Sequence, residues 1–197
     1  ILEGLDYVRK QGILFGLILM GVAATVFALP YQTLLPVFAR DVLEVGASGL
    51  GWLGAMSGAG SIIGSITVAS VSSTRSMKVL MLVGSTALGF LIILFAISND
   101  YLLARVILFF LGFSFQIFMT SNFTFVQLIA PEYIRGRVLS IRMIAFGLSP
   151  VGMILLGISA EFFGPIIATA LTGIAAVVML ASIIMFIPGL IHVEKSI

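Results

Sequence analysis

Three arginines lie close together in the stretch PEYIRGRVLSIR, residues 131–142, with a long apolar run on each side. They are Arg135, Arg137 and Arg142. The rest of the chain is poor in charge, since only 9% of its 197 residues are charged and 60% are hydrophobic. Soluble domains are about 45–50% apolar and about 25% charged. The stretch is therefore interpreted as a charged loop between two segments whose natural solvent is lipid.

The chain divides into six apolar runs: residues 13–38, 50–71, 79–97, 106–130, 144–160 and 165–187. Each run is long enough to span the membrane, the fifth only just, because crossing about 30 Å of hydrocarbon takes about 20 helical residues. Helix is the expected form, since a lipid-facing strand leaves backbone groups unpaired. The runs also lack the alternation of a transmembrane β-barrel. We therefore predict an all-α membrane protein with six transmembrane helices.

Charged residues fall at or beyond the ends of these runs, so no ionisable side chain is expected deep in a span. One side of the membrane carries the basic residues Arg9, Lys10, Arg75, Lys78, Arg135, Arg137, Arg142 and Lys195, and the other carries Arg40 and Arg105. Cytoplasmic loops are enriched in Lys and Arg. We therefore predict that both termini lie in the cytoplasm.

Glycine and proline predict where helices bend or approach closely. The first run contains Pro30 and Pro36, which predict a bend because proline removes a backbone hydrogen bond. Small residues let membrane helices pack closely. The helix-packing candidates are Gly54, Gly58, Gly60, Gly64, Gly147, Pro150 and Gly152.

The fourth run is the most polar, and its polar residues form a stripe. Gln116, Thr120, Thr124 and Gln127, with Phe109 and Phe113, fall within an arc of roughly 80° of a helix. A polar stripe on a spanning helix faces protein or water rather than lipid. Two interpretations stay open: hydrogen bonds that hold the helices together, or the lining of a cavity for a mostly apolar solute. Ser121 and Asn122 point elsewhere and are predicted packing contacts.

The sequence offers no enzyme site. It has no Ser/His/Asp set, no HExxH and no phosphate-binding loop, it lacks cysteine, and its one histidine, His192, lies in the C-terminal tail. We expect no catalytic residue, no metal and no cofactor. The net charge of +2 gives no indication of a nucleic-acid partner. Proton coupling usually needs an ionisable group inside the membrane, so any coupling residue is expected outside this chain.

The opening stretch resembles the cytoplasmic loop between the tenth and eleventh helices of major facilitator superfamily transporters. It is similar to the drug and siderophore exporter branch, which includes the enterobactin exporter and macrolide efflux proteins. Pro131, Arg135, Gly136, Arg137 and Val138 match that branch's Pro-x-x-x-Arg-Gly-Arg-Val pattern. EGLDYVRKQGIL, residues 3–14, resembles the approach to the seventh helix. Residues 34–65 resemble the end of the seventh helix, the outer loop and the eighth helix, and the GxxPxG of residues 147–152 resembles the eleventh helix.

The resemblance implies the C-terminal half of a transporter that folds as two six-helix halves around a central cavity. Each half of that fold consists of two inverted three-helix repeats. In this chain they would be residues 13–98 and 102–191, within a six-helix domain of residues 13–191. Residues 1–12 would end a central cytoplasmic loop, and residues 192–197 would form a cytoplasmic tail. The resemblance also places Tyr31 and Gln32 on the cavity, beside the stripe of the fourth run.

The resemblance further implies a cytoplasmic gate made by basic residues. Arg75 and Lys78 lie in a loop where the family often has an acidic residue that this chain lacks. Glu132, Arg135 and Arg137, around Gly136, are candidates for a latch, because arginine binds carboxylates and helix C-termini. The other interpretation is that these arginines anchor the loop to lipid headgroups, and the two roles are compatible.

The predicted function is export of small, largely apolar molecules such as drugs or siderophores by alternating access, coupled to protons, across a bacterial inner membrane. The implied partners are the lipid bilayer, an N-terminal six-helix half, a small-molecule substrate and protons. Two alternatives stay open: a complete six-span dimeric channel, scramblase or scaffold without proton coupling, and an importer with the same fold. Neither the substrate nor the direction of transport follows from the sequence.

Overall fold

The computed structural model describes residues 2–187, with side chains from Gly4 onward, and all the regular structure of this part is helical. The α-helices are α1 (Leu2–Lys10), α2 (Gly12–Ala23), α3 (Tyr31–Val37), α4 (Gly46–Ala69), α5 (Thr74–Ala96), α6 (Tyr101–Ile129), α7 (Glu132–Phe146) and α8 (Ser149–Phe186). Two π-helical segments, Ala24–Ala28 and Phe38–Val42, follow α2 and α3. The all-α prediction is confirmed. His192 and Lys195 lie outside the described residues.

Five helical segments of the described chain are long and apolar enough to cross a membrane: Gly12–Val42, Gly46–Ala69, Thr74–Ala96, Tyr101–Ile129 and Glu132–Phe186. The first four overlap the first four predicted runs closely. The last contains the fifth and sixth runs, and its 55 residues would extend about 80 Å as one straight helix, far beyond the hydrocarbon thickness. It is interrupted by a turn at Gly147 and Leu148, and again at Gly164, whose φ of 81° and ψ of 161° are not helical.

Two prolines explain the irregular first segment. Pro30 has no N–H to donate to the carbonyl of Val26, four residues back. Just before it, the N–H of Leu29 donates to the carbonyl of Ala24 at 2.9 Å, which is the wider spacing of a π-helix. Pro36 is likewise followed by the second π-helical segment. Each proline thus lies within two residues of a π-helical segment, which is before Pro30 and after Pro36.

The arginine-rich stretch is mostly helix rather than loop. Ala130 is extended, with ψ of 118°, as expected for a residue that precedes a proline, and α7 begins at Glu132. The helix that leads into the predicted fifth span, residues 144–160, therefore begins well before that span, at Glu132. The physical reason is an apolar face at helical spacing, since Ile134, Val138, Ile141 and Ala145 are all buried.

Glycines make the closest helix crossings. A Cβ on Gly60 would overlap the carbonyl oxygen of Phe109, and a Cβ on Gly64 would lie 2.7 Å from the carbonyl oxygen of Phe113. These contacts press α4 against α6. Gly152 of α8 meets the carbonyl of Val26 in the same way.

The other predicted packing residues lie in more open surroundings. No atom lies within 4 Å of a Cβ built on Gly54 or Gly58. The nearest atom to such a Cβ on Gly147 is the carbonyl oxygen of Ile144, in the preceding helix, and Pro150 is exposed.

The outward surface of the helices is apolar. Phe90 is 62% exposed, Phe162 76% and Phe186 84%, among many other large apolar side chains. Such a surface is stable in hydrocarbon and not in water. The chain is therefore an integral membrane protein.

Candidate functional site

A cavity of about 370 Å³ lies between α6 and α7, and we refer to it as the α6–α7 cavity. It is lined by Phe115, Gln116, Met119, Thr120, Phe123, Arg142, Met143 and Phe146. Aromatic and apolar walls with a few polar groups are typical of small-molecule sites. The cavity thus brings two residues of the predicted stripe, Gln116 and Thr120, together with residues outside it.

The polar groups of the stripe hydrogen-bond along their own helix. Gln116 Nε2 donates to Thr120 Oγ1 at 3.0 Å, and Thr124 Oγ1 donates to the Thr120 carbonyl at 3.0 Å. Neither bond ties α6 to another helix. The Gln116–Thr120 pair therefore presents a polar edge on the wall of the cavity.

The remaining stripe residues lie away from this cavity. Thr124 and Gln127 are half-buried further along α6. Phe109 and Phe113 are also half-buried, and their backbones meet Gly60 and Gly64 at the crossing with α4. The stripe thus lies in two environments: the crossing with α4 at one end and the α6–α7 cavity in the middle.

Arg142 is the charged residue of the α6–α7 cavity. Its guanidinium carbon lies 4.6 Å from the centroid of the Phe123 ring. One Nη of Arg142 lies 3.4 Å from the Met119 carbonyl oxygen, a weak hydrogen bond, and its Nε is buried without a hydrogen-bond partner. Arg142 also borders a small void of about 10 Å³ against Ile18, Gly21 and Thr25.

The structure places Arg142 on α7, against α6, rather than in the predicted loop. Because α7 is helical from Glu132, Arg142 lies about 15 Å along the helix from the α6–α7 turn. It lies on the helical segment Glu132–Phe186, which is long and apolar enough to contain a membrane span. The sequence contained a signal that Arg142 is on a helix. Arg142 follows Val138 by four residues, which places it beside an apolar face at helical spacing that begins directly after Pro131.

A second cavity, of about 400 Å³, lies between α3 and α4, and we refer to it as the α3–α4 cavity. It is lined by Gln32, Leu35, Gly54, Ser57, Gly58 and Ser61. Gln32 is exposed, whereas Tyr31 is buried with only 2% of its surface accessible. The hydroxyls of Tyr31 and Ser57 share a hydrogen bond at 3.3 Å. Tyr31 thus lies behind the wall of this cavity, and Gln32 is on it.

Ser121 and Asn122 lie in the protein core. Both are fully buried, and Asn122 Nδ2 donates to the carbonyl of Leu17 at 2.9 Å, which ties α6 to α2. The oxygen Oδ1 of Asn122 has no hydrogen-bond partner.

The residues of the predicted gate separate into two groups. Arg135 Nε donates to the carbonyl of Ala130 at 3.2 Å, which caps the C-terminal end of α6. Glu132 is exposed in the first turn of α7, and no atom lies within 4 Å of a Cβ on Gly136. Arg75 is exposed beside another cavity, between α4 and α5, and Lys78 is half-buried one turn further along.

Helix α1 packs against this end of α7. A Cβ on Gly4 would lie 3.0 Å from the Cβ of Arg137, and the rings of Tyr7 and Tyr133 meet edge to face with centroids 6.4 Å apart. Burial, with the neighbouring Tyr133, raises the pKa of Tyr7, so its phenol is neutral at physiological pH. The α1–α7 contact therefore includes an aromatic pair and a close approach of Gly4 to Arg137.

Comparisons with known proteins agree with these features. The model of a family described as Transmembrane secretion effector, of the major facilitator superfamily (MFS), matches residues 1–196. The chain is 28% identical over 198 residues to the Multidrug efflux pump Tap of Mycolicibacterium fortuitum, a match that covers all of this chain and 48% of that protein. It is 27% identical over 147 residues to the Staphyloferrin A transporter of Staphylococcus aureus, covering 75% of this chain and 37% of that protein.

No solved structure significantly matches the chain. The chain spans about half the length, or less, of the curated relatives that it matches. The family match covers nearly every residue, including the arginine-rich start of α7 and both cavities. The chain belongs to the transmembrane secretion effector family of the major facilitator superfamily.

Proposed function

We propose that the chain is the C-terminal half of a secondary transporter that exports small, largely apolar molecules across a bacterial inner membrane. Three findings support the proposal: the family match, two relatives whose names describe an efflux pump and a transporter, and a length about half of theirs. The proposed partners are the bilayer, an N-terminal half, the exported solute and protons. No enzymatic chemistry is part of this function.

The observation that carries the proposal is the Gln116–Thr120 pair on the wall of the α6–α7 cavity. A polar edge in an otherwise apolar membrane protein is costly unless it contacts protein, water or a ligand. Here it borders open space of about 370 Å³, which lies within the volume range of small-molecule sites. We therefore assign the solute to this cavity, with the α3–α4 cavity as a second contact surface.

The proposed architecture is six transmembrane helices in two inverted repeats, with both termini in the cytoplasm. The break at Gly164, followed by Pro165, supports a division of Glu132–Phe186 into a fifth and a sixth span. Transport would then follow alternating access, in which the two halves of the protein rock around the cavity. Arg135, which caps α6, is the proposed latch residue of the cytoplasmic side.

The test is gradient-driven transport by the whole reading frame that contains this chain, reconstituted in liposomes. The expected result is uphill movement of a hydrophobic dye when a proton gradient is applied, abolished by an uncoupler. Downhill flux that is insensitive to the uncoupler would instead indicate a channel or scramblase. The absence of any flux would indicate a scaffold, and either result would overturn the proposal.

A further inference from the structure

We propose that the α6–α7 cavity binds an anionic group, so that the exported solute, or a lipid that competes with it, carries a carboxylate, sulfonate or phosphate held by Arg142. This inference rests on the proposed function and names the chemistry of its ligand. It adds a charged contact to the cavity predicted for a mostly apolar solute, because the sequence alone places Arg142 with the charges of a loop.

The first argument is that, among the described residues 4–187, no acidic side chain forms an ion pair with Arg142. The described ion pairs are Lys10 with Asp6 and Arg40 with Asp41, and neither includes Arg142. The residues of α6 and α2 that line the two cavities beside Arg142 carry no charge; they include Gln116, Met119, Thr120 and Phe123 on α6. Arg142 is half-buried beside apolar side chains, and a guanidinium removed from water is costly unless it is paired and hydrogen-bonded.

The second argument is the geometry of the guanidinium. The guanidinium carbon of Arg142 lies over the Phe123 ring, a cation–π contact that helps to hold its position. The polar contacts of Arg142 are distant ones, at 3.4 Å to the Met119 carbonyl oxygen and 4.0 Å to the Met119 sulfur, and Nε has no partner. Arginine presents five donors in a rigid fork that fits two oxygens of a carboxylate, sulfonate or phosphate. Most of the hydrogen-bonding capacity of the Arg142 guanidinium is unused in this structure.

The third argument is the composition of the walls. Phe115, Phe146 and Met143 provide apolar surface beside the charge. Inorganic ions need no such surface, whereas an amphipathic anion places its apolar part there and its charged group on the arginine. The fitting ligand class is therefore an amphipathic organic anion, which includes a lipid with an anionic headgroup.

The experiment compares two dyes that differ in one charged group, anilinonaphthalene sulfonate and the neutral phenylnaphthylamine. Binding is measured by fluorescence to the whole protein in nanodiscs of phosphatidylcholine, with empty nanodiscs as the blank. In Arg142→Gln the affinity for the sulfonate dye is expected to fall at least about tenfold, the usual effect of losing a charge-assisted hydrogen bond. Affinity for the neutral dye is expected to stay within about twofold.

Arg105→Gln is the matched control. Arg105 also lies over aromatic rings, with its guanidinium carbon 5.0 Å from the Trp52 ring centroid, but it is on α6 and does not line the cavity. It should leave both dye affinities unchanged. Gln116→Glu is the second variant, because it places a carboxylate on the cavity wall near Arg142 without removing any residue that packs. It should weaken sulfonate binding as Arg142→Gln does, even where Arg142→Gln does not fold.

The outcomes separate the two proposals. The anion site is overturned if Arg142→Gln lowers the affinity for both dyes equally. It is also overturned if neither Arg142→Gln nor Gln116→Glu changes the affinity for the sulfonate dye. If the anion site is overturned but gradient-driven transport of the neutral dye persists, the proposed function stands without the anion site. Phosphatidylglycerol is then added to the nanodiscs. If it weakens binding of the sulfonate dye to the wild type but not to Arg142→Gln, the site is supported and its occupant is a lipid headgroup.

Discussion

Arg142 and Phe123 stack across the interface of α7 and α6, with the guanidinium carbon 4.6 Å from the ring centroid. The stack joins two residues separated by the α6–α7 turn and holds a positive charge on the wall of the α6–α7 cavity. In a medium of low dielectric constant such a contact is stronger than at an exposed surface. It therefore fixes where a ligand's negative charge would lie.

Phe123→Leu is expected to weaken binding of anilinonaphthalene sulfonate by roughly three- to tenfold, because it removes the aromatic face that orients Arg142 and leaves the charge in place. The measurement is the fluorescence titration in nanodiscs. Phe123→Tyr keeps the ring and serves as the matched control, with an expected affinity close to wild type. An unchanged affinity in Phe123→Leu would show that the stack does not orient the arginine for binding.

The membrane fold was predictable because its causes are local. Composition and run length indicate lipid-embedded helices at the first four segments, since only helices satisfy their own backbone in hydrocarbon. The start of α7 was missed because a basic, charged stretch is typical of a loop. This helix has a buried apolar face, which includes Ile134 and Ile141. The helices that cover this face cannot be identified from a single sequence.

The candidate site was predictable only in part. Helical periodicity placed Gln116 and Thr120 on one face of α6, and they do border a cavity. It could not separate them from Gln127, because a helical wheel contains no information on which stretch of a face is covered by another helix. Arg142 is on a different helix from Phe123. Their contact is a tertiary contact, which the helical periodicity of one segment cannot predict.

Gln116→Leu is expected to lower uptake of transported dyes by proteoliposomes by about five- to tenfold, since it removes the donor to Thr120 and the polar edge of the cavity. Gln127→Leu is the matched control, because Gln127 follows the same stripe but does not line the α6–α7 cavity. It should reduce uptake by less than about twofold. Equal effects of both substitutions at equal protein levels would argue that the whole stripe, and not the cavity, matters.

Gly60→Ala is expected to destabilise the protein by about 1–3 kcal/mol, because the new Cβ overlaps the Phe109 carbonyl oxygen and forces α4 away from α6. Gly58→Ala, on the same helix, meets no atom within 4 Å and should change stability by no more than about 1 kcal/mol, in the stabilising direction that helix propensity gives. Thermal unfolding in detergent measures both. A Gly60→Ala protein as stable as Gly58→Ala would show that the crossing adapts without cost.

Arg135→Ala is expected to slow transport several-fold while substrate affinity stays near wild type. Arg135 caps α6 through the Ala130 carbonyl at 3.2 Å, a contact whose loss costs about 0.3–1 kcal/mol. If that contact forms in only one state of the transport cycle, its loss shifts the balance between the states and changes the turnover rate more than binding. Initial transport rates and dye affinities, measured on the same preparation, separate the two effects.

Arg9→Ala is the control that separates a latch from an anchor. Arg9 is an exposed basic residue of α1, on the same predicted cytoplasmic side, and it contributes equally to an anchoring charge. A latch predicts that Arg135→Ala slows turnover and Arg9→Ala does not. Similar small effects of both substitutions would assign Arg135 to anchoring alone, because charge near the membrane surface and not the cap on α6 would then explain the result.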